Sequence, residues 1–511
     1  MFKLKMLSQV VAATVASSFL VGCGGGSSSG TAASTTTNVS GSAFASYVSG
    51  ARVVAMDGTA EIAGPVTTSA TGRFTLPIPN EHLRSELVFV ATGGTYIDEA
   101  TGQEAASGEL AVVAGANTLQ AGSSIHATPS STIIKMLMKK HGKTKDEAEK
   151  AFEEAFGYLP NTAVAPVDAT KASDAADDAK LAGVRAGAFS QLLADLGLTK
   201  DDHAELLDVL AEDLADGALD GMNDTVTLQL KGKGIPADIA NGFSMALMNF
   251  LDGKGKESGL NLGKVGLLKF NKKAVSDRYV FELEPPKMTK VGKAVYTLTI
   301  TDLNDQPVAN GTAVEMTPIM YMAGGHKHST PHVGCSDVSG GKSTCTAYYL
   351  MASAMGNGDV MGNWELKFIV DNESVHFFPN VMMAMGDDTA RLRIEGAAGD
   401  DDNIDGAARS YFIYKESMIE NAGKYTVRFF VATKESMMSF PPLNDNGVAV
   451  TGGLSANVTL TVDGQPATFI ANGIWQIADL DEAQLSDLEL RLNVGAQDKP
   501  VGTFKITPSS M

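Results

Sequence analysis

The hydrophobic period of this chain changes twice, and no single sheet or bundle can absorb all three regimes. Up to about residue 122, short β-rich runs are cut by Gly, Pro and Asp; from about 123 to 255 apolar residues recur at helical spacing; from about 275 onward the period returns to two. At 511 residues the chain also exceeds what one core can serve, so it divides into roughly three to four units. These observations predict a multidomain, mainly β protein of three small β-sandwich domains with an inserted α-helical bundle. The expected boundaries are 41–122, 123–263, 264–400 and 401–511.

The first unit rests on Gly50-Ala51-Arg52-Val53-Val54-Ala55 running into Asp57-Gly58, then Thr71-Gly72-Arg73-Phe74-Thr75-Leu76-Pro77, then Leu87-Val88-Phe89-Val90 before Gly93-Gly94. In the helical stretch, Thr144 and Glu147 have capping-box spacing, and Ala148, Ala151, Phe152, Ala155 and Phe156 share a face that ends at Gly157. Phe189, Leu192, Leu193 and Leu196 repeat the pattern, as do Leu207, Leu210, Ala211 and Leu214. Phe243, Ala246, Leu247, Phe250 and Leu251 follow, stopping near Gly253. Later, Tyr296, Leu298 and Ile300 alternate with threonines, and Trp364, Leu366 and Phe368 with Glu365 and Lys367. Tyr425, Val427 and Phe429 alternate likewise. Val458, Leu460 and Val462 run into the hairpin signal Asp463-Gly464, and Leu488, Leu490, Leu492 and Val494 come near the end.

The chain opens with Lys3 and Lys5, an apolar run from Met6 to Leu20, and Leu20-Val21-Gly22-Cys23. This is the pattern of a secretory signal, and the run is short of the about 20 residues a membrane span needs. The segment resembles the lipobox of bacterial lipoproteins. That resemblance implies a signal peptide over 1–22, cleavage before Cys23, and lipid on the Cys23 thiol as the link to a membrane. Residues 23–40, rich in Gly, Ser and Thr, are expected to form a flexible tether. Gly24 after the cysteine points to the outer membrane, facing either periplasm or cell surface. No later stretch approaches 18 uninterrupted apolar residues, so the remainder is expected to be soluble.

The formal charge is −19, and loss of Lys3 and Lys5 with the leader makes it more negative. Such a surface repels nucleic acid and anionic lipid. Of the three cysteines, Cys23 is assigned to lipid, which leaves Cys335 and Cys345. In an oxidising compartment the default for that pair is a disulfide, stabilising by about 3 kcal/mol in the chain-entropy model; two thiolate metal ligands are the alternative.

One stretch differs in composition. Residues 316–385 hold nine of 22 methionines (Met316, Met320, Met322, Met351, Met355, Met361, Met382, Met383 and Met385). They also hold four of eight histidines (His326, His328, His332 and His376). Thioether is a soft donor and imidazole a borderline one, so together they suit copper. Gly324-Gly325 lets the chain fold back so that Met320 or Met322 could meet His326, His328 or His332. Against this, methionine fills irregular cores. Met355 and Met361 are equally readable as packing beneath Trp364, and Met382, Met383 and Met385 as core.

Two further resemblances bear on these units. The cadence of residues 50–79 resembles immunoglobulin-like or carboxypeptidase-regulatory-like modules, which implies a spacer or stalk. From Pro285 to Val370 the chain resembles the YtkA-like and FixH-like β-sandwich domains. The matching positions are Pro286, Lys290, Val291, Gly292, Asp302, Pro307-Val308, Met316, Met320, Met322, His326, Tyr348-Tyr349 and Met361-Gly362-Asn363-Trp364. The resemblance implies a periplasmic sandwich near copper handling or oxidase assembly, with Met320, Met322, His326 and Met361 as ligands. His328 and His332 are additional candidates here. Cys335 and Cys345 lie in an insertion outside that pattern.

Asp401, Asn403 and Asp405 open like a calcium loop, but position twelve is Phe412 where a bidentate Glu is needed; the segment reads first as a solvated acidic linker, with an interdomain calcium clip as the alternative. Gly340-Gly341-Lys342-Ser343 lacks the strand-to-helix setting of a phosphate loop. No G-x-S-x-G or H-E-x-x-H occurs, so no catalytic residue is assigned and an enzyme is not expected. The sequence thus predicts a membrane-tethered lipoprotein that binds or passes copper and has a protein partner in the envelope. The alternative is a structural or adhesion-type cell-surface lipoprotein with no metal site.

Overall fold

The computed structural model describes residues 35–397, 399–400, 402–404, 406–448 and 453–508. The chain is multidomain and mainly β, with its helices gathered between the first and second sandwiches. The first unit comprises β1 (Thr36–Ala43), β2 (Arg52–Asp57), β3 (Ala60–Thr67), β4 (Arg73–Pro79), β5 (Leu87–Thr92), β6 (Thr95–Ile97), β7 (Glu104–Ala106), β8 (Glu109–Ala114) and β9 (Ser124–Ala127). Sheet β4-β1-β9 faces sheet β3-β2-β5-β8, and β6 pairs with β7 as a separate hairpin. Alternate residues point inward (Val39, Phe74, Leu76 and Ile78 from one sheet; Val53, Leu87, Phe89 and Val112 from the other) and form the core.

Two expected boundaries move here. Residues 36–40 are not tether: Thr36 to Val39 is a run with strand propensity that pairs with Ile78, Leu76 and their neighbours in β4. Ser124–Ala127, expected in the helical unit, instead returns as a parallel partner of β1.

That parallel strand feeds the helices: α1 (Pro129–Lys139), α2 (Lys145–Phe156), α3 (Asp177–Asp195), α4 (His203–Asp213) and α5 (Ile239–Asp252), with the small hairpins β10–β11 (Met222–Asn223, Val226–Thr227) and β12–β13 (Gln229–Leu230, Lys233–Gly234). The Thr144–Glu147 capping box forms and Gly157 closes α2 with a left-handed φ of 79°. The helix missed from periodicity is α1. Its polar Ser130, Ser131 and Thr132 are buried because each has a partner: Ser130 Oγ shares a hydrogen bond with Tyr158 Oη at 2.8 Å, Ser131 Oγ donates to the carbonyl of Ala111, and Thr132 Oγ1 accepts from the Ala111 amide. Helices and first sandwich therefore share one continuous apolar core rather than two. Phe156, Phe189 and Phe243 meet at its centre, with ring centroids 4.8–5.5 Å apart.

The second sandwich comprises β14 (Lys273–Val275), β15 (Tyr279–Glu284), β16 (Gly292–Asp302), β17 (Glu315–Met322), β18 (Lys327–His328), β19 (His332–Cys335), β20 (Lys342–Tyr349), β21 (Gly362–Val370) and β22 (Glu373–Phe377). Sheet β14-β15-β16-β20-β19 faces sheet β18-β17-β21-β22. The third comprises β23 (Leu392–Glu395), β24 (Ser410–Asn421), β25 (Lys424–Thr433), β26 (Val458–Val462), β27 (Gln465–Pro466), β28 (Thr468–Ala471), β29 (Ile474–Leu480), β30 (Leu488–Val494), β31 (Gln497–Asp498) and β32 (Gly502–Phe504). Sheet β23-β24-β25-β29-β28 faces β27-β26-β30-β31, with β32 also on β30. Because β23 pairs with β24, the last sandwich begins before the expected residue 401. Asp463 and Gly464 both take positive φ, as the predicted tight hairpin requires.

Consecutive units are joined by buried contacts. Tyr321 and Phe378 of the second sandwich belong to the core of the helices. Asn363 Nδ2 donates to the carbonyls of Leu262 and Gly266, both at 2.7 Å, and its Oδ1 accepts from the Leu268 amide at 2.9 Å. Between second and third sandwiches, Tyr348 stacks on Phe430 with centroids 4.0 Å apart, inside an apolar cluster with Leu350, Phe412, Tyr414 and Phe440.

Gly187 on α3 lies against Phe250 of α5, and a Cβ there would sit 2.3 Å from the ring's Cζ. Gly187→Ala is therefore expected to lower stability by about 1–3 kcal/mol through overpacking, measured by urea denaturation.

Candidate functional site

The Met/His segment folds around β17, whose two faces enter different cores. Met316 and Met320 point into the second sandwich, and Met322 packs half-buried against it. Ile319 and Tyr321, on the opposite face, join the core of the helices. Met320 is fully buried and pairs across the sheet with His328 on one side and Trp364 on the other. The His328 ring stands edge-on to Trp364 with centroids 5.4 Å apart, and Tyr349 meets the same indole at 4.9 Å. Trp364 Nε1 donates to the Met351 carbonyl at 3.1 Å. Trp364 is the anchor of this core, as its burial requires.

His328 Nδ1 donates to the Ser329 carbonyl at 2.7 Å, and His332 Nδ1 donates to the Thr330 carbonyl at 2.9 Å. Each ring thus keeps its remaining nitrogen, Nε2, as a lone pair when neutral. Burial pulls both pKa values below the ordinary imidazole value, against the opposing pull of those carbonyls. The two rings belong to different sheets: His328 lies on β18 beside β17, and His332 lies on β19 opposite Ala347. His326 is exposed in the turn where its carbonyl accepts from the Met322 amide at 2.9 Å. Met361 is half-buried and its carbonyl accepts from the Ala323 amide, which places it beside Met322. The fold therefore groups Met320, Met322, His328 and Met361 around Trp364, and sets His326 in solvent and His332 on the facing sheet. Among the described residues, no three His, Cys, Asp or Glu side chains converge as metal ligands.

The second methionine group departs from its expectation. Met355, Met382, Met383 and Met385 are 49, 48, 51 and 66% exposed, so they are not core and Met355 does not pack beneath Trp364. They sit in irregular loops: Ser353 bonds to Val381, and the Met382 carbonyl accepts from the Val291 amide. These loops run beyond the ends of the sheets, where alternation no longer decides which side chain turns inward. Sequence periodicity carries no signal for that.

Cys335 and Cys345 form a disulfide between directly paired positions of β19 and β20, so both sulfurs are bonded to each other and neither is a thiolate ligand. A buried network that sequence reasoning missed also lies on the face of β21 turned away from the second sandwich's core and toward the helices. Glu365, expected to face solvent by alternation, is 2% exposed, because the helices cover this face of the sheet. It accepts from Tyr321 Oη at 2.8 Å and is paired with His376 Nδ1.

In the acidic loop, Asp401 and Asp405 lie outside the described residues, and Cys23 does as well. Asn403 is described. Its neighbours Asp400 and Asp402 are bound by the fully buried ammonium of Lys499 at 2.6 and 2.7 Å. Lys499 thus supplies the positive charge that those two carboxylates need.

The described helices include none long and apolar enough to cross a membrane. No protein-family model matches the chain, and no curated protein matches it. Among solved structures, the adhesin InvE of Yersinia pseudotuberculosis aligns at 16% identity over 44% of this chain and 59% of that one, with a TM-score of 0.16. This chain thus spans less than two thirds of InvE. Domains 5–6 of the S-layer protein SbsC align at 12% identity over 47% of this chain and all of that one, with a TM-score of 0.15. The Escherichia coli adhesin FdeC aligns at 14% identity over 47% of this chain and 67% of that one, with a TM-score of 0.17. Similarity at this level assigns no role to the chain.

The lowered pKa of His328 has a defined sign. Its unfolded form takes up a proton near 6.5 while its folded form resists, so its contribution to stability is complete above that value and is lost as pH falls. His328→Phe is expected to lose less stability than the parent between pH 7 and pH 5, read from urea midpoints at each pH.

Proposed function

We propose that this chain is a lipid-anchored structural protein of the bacterial envelope, held at Cys23, whose units form a rigid scaffold presented to the periplasm or cell surface. One observation carries this reading: each unit is joined to the next by buried side chains rather than by a free linker. Tyr321, Asn363 and Phe378 lock the helices to the second sandwich, and Tyr348 on Phe430 locks the second sandwich to the third. Interfaces of this apolar kind hold domains in fixed relation, whereas loosely joined domains move. Protein partners are engaged by the exterior of this scaffold, and no residue is assigned a catalytic role.

Labelling cells with radioactive palmitate is expected to mark the parent protein and to fail with Cys23→Ser, which should appear in the soluble fraction; label on the variant would refute lipidation there. Limited proteolysis is expected to spare the junction between second and third sandwiches in the parent. Pairing Tyr348→Ala with Phe430→Ala should expose it to cleavage.

A second reading, copper binding, is favoured by a specific feature. His328 and His332 both anchor Nδ1 on a backbone carbonyl, the arrangement by which a metal-binding histidine is held with Nε2 as the donor. Met320, Met322, His326 and Met361 are its other candidate ligands. Titration with Cu(I) under a competing chelator tests it: retention of affinity after replacing Met320, Met322, His326, His328, His332 and Met361 would eliminate this reading.

A further inference from the structure

Helix α3 carries Asp178, Leu181 and Arg185 at helical spacing on one face, and that face closes a cavity of about 160 Å³ against the start of α1 and the segment 158–166. Arg185 is half-buried, and its guanidinium lies over the ring of Tyr158, with Cζ 3.9 Å from the centroid. The hydroxyls of Ser130 and Tyr158, which share a hydrogen bond at 2.8 Å, belong to residues lining the same cavity. Val164, Pro166 and Leu181 give it an apolar wall.

The charge of Arg185 is not answered within the chain. Its Nη2 donates to the Val265 carbonyl at 3.3 Å, which engages one of five N–H donors. Among the described residues no carboxylate forms an ion pair with it; Asp178, the acid whose charge it feels, is exposed. Burial pushes the Tyr158 phenol up to about 12, so at neutral pH that ring offers the guanidinium a cation–π face and no counter-charge. Burial also pulls the pKa of Arg185 below the ordinary arginine value, since its charge has lost water without gaining an anion. Lys499 shows the contrast: where an interior cation is structural, Asp400 and Asp402 close on it at 2.6 and 2.7 Å.

A stacked guanidinium is held in one plane, and its free edge matches a carboxylate through two parallel hydrogen bonds. One cation, with Asp178 on the same helix face, balances a single negative charge better than two. The apolar wall suits a hydrocarbon body. The volume lies below the roughly 300–1,000 Å³ of sites for drug-sized ligands, so the molecule is small. We propose that Arg185 binds the carboxylate of a small organic monoanion whose apolar part lies against Val164, Pro166 and Leu181. The site shares no residue with the Met/His segment and stands independently of the scaffold reading.

The test uses the purified full-length chain in detergent and isothermal titration calorimetry, with benzoate as the carboxylate probe, benzamide as its neutral counterpart and inorganic phosphate as a second anion. Benzoate is expected to bind once per chain, and benzamide and phosphate about tenfold more weakly or worse. Arg185→Gln should weaken benzoate binding about tenfold or more. Arg185→Lys, which keeps the charge and loses the fork, should weaken it too, whereas Asp178→Asn should tighten it. Phenylglyoxal labelling of the parent keeps the test independent of how well the variants fold: mass spectrometry should show modification of Arg185 slowed by benzoate and not by benzamide. The proposal is overturned by absence of benzoate binding to the parent, by benzamide or phosphate binding as tightly as benzoate, by Arg185 labelling that benzoate leaves unchanged, or by parental affinity in a folded Arg185→Gln or Arg185→Lys.

Discussion

Much of this molecule depends on strand β17 being buried on both faces. Its even-numbered residues, Met316, Met320 and Met322, belong to the second sandwich, while Ile319 and Tyr321 belong to the helices. A strand with one face in a core and one in water can be read by alternation; a strand inside two cores cannot, because both sets of side chains are apolar or internally paired. That double burial makes the helices and the second sandwich one packed body. It also draws Glu365, His376 and Tyr321 into a private hydrogen-bonded set instead of leaving them at the surface.

The same constraint decides the chemistry open to the methionines and histidines. Met320 lies between His328 and Trp364 on the inner face of a sheet, where its thioether already has close packing partners. His328 has an edge-on indole and a backbone carbonyl as neighbours. Soft donors held this way are structural first. The exposed thioethers of Met355, Met382, Met383 and Met385 sit in the loops beyond, where side chains stay accessible and conformationally adaptable.

Charges in the interior follow a consistent rule. Lys499 lies between Asp400 and Asp402, Glu416 takes Lys293, and Glu365 takes His376. Each of these groups meets its partner directly, as a low-dielectric surrounding demands. The buried hairpin acid Asp98 is answered by neutral donors instead, the amide and hydroxyl of Thr101.

Local patterns in the sequence determined the elements. The alternation at Tyr296, Leu298 and Ile300, the capping box at Thr144, the stop at Gly157 and the Asp463-Gly464 turn all act through near neighbours, and all appear in place. The Cys335–Cys345 disulfide was expected as the pair left once Cys23 is assigned to lipid in an exported chain, and the two cysteines, ten residues apart, are bonded. Only the tertiary structure decided which faces are covered twice. Helix α1 buries Ser131 and Thr132 because Ala111 answers them; β9 and β23 cross the expected boundaries; Glu365 is covered by the helices; and Met382 to Met385 turn outward. Each of those outcomes depends on residues far away along the chain, and periodicity reports only the side a residue faces, not what arrives to cover it.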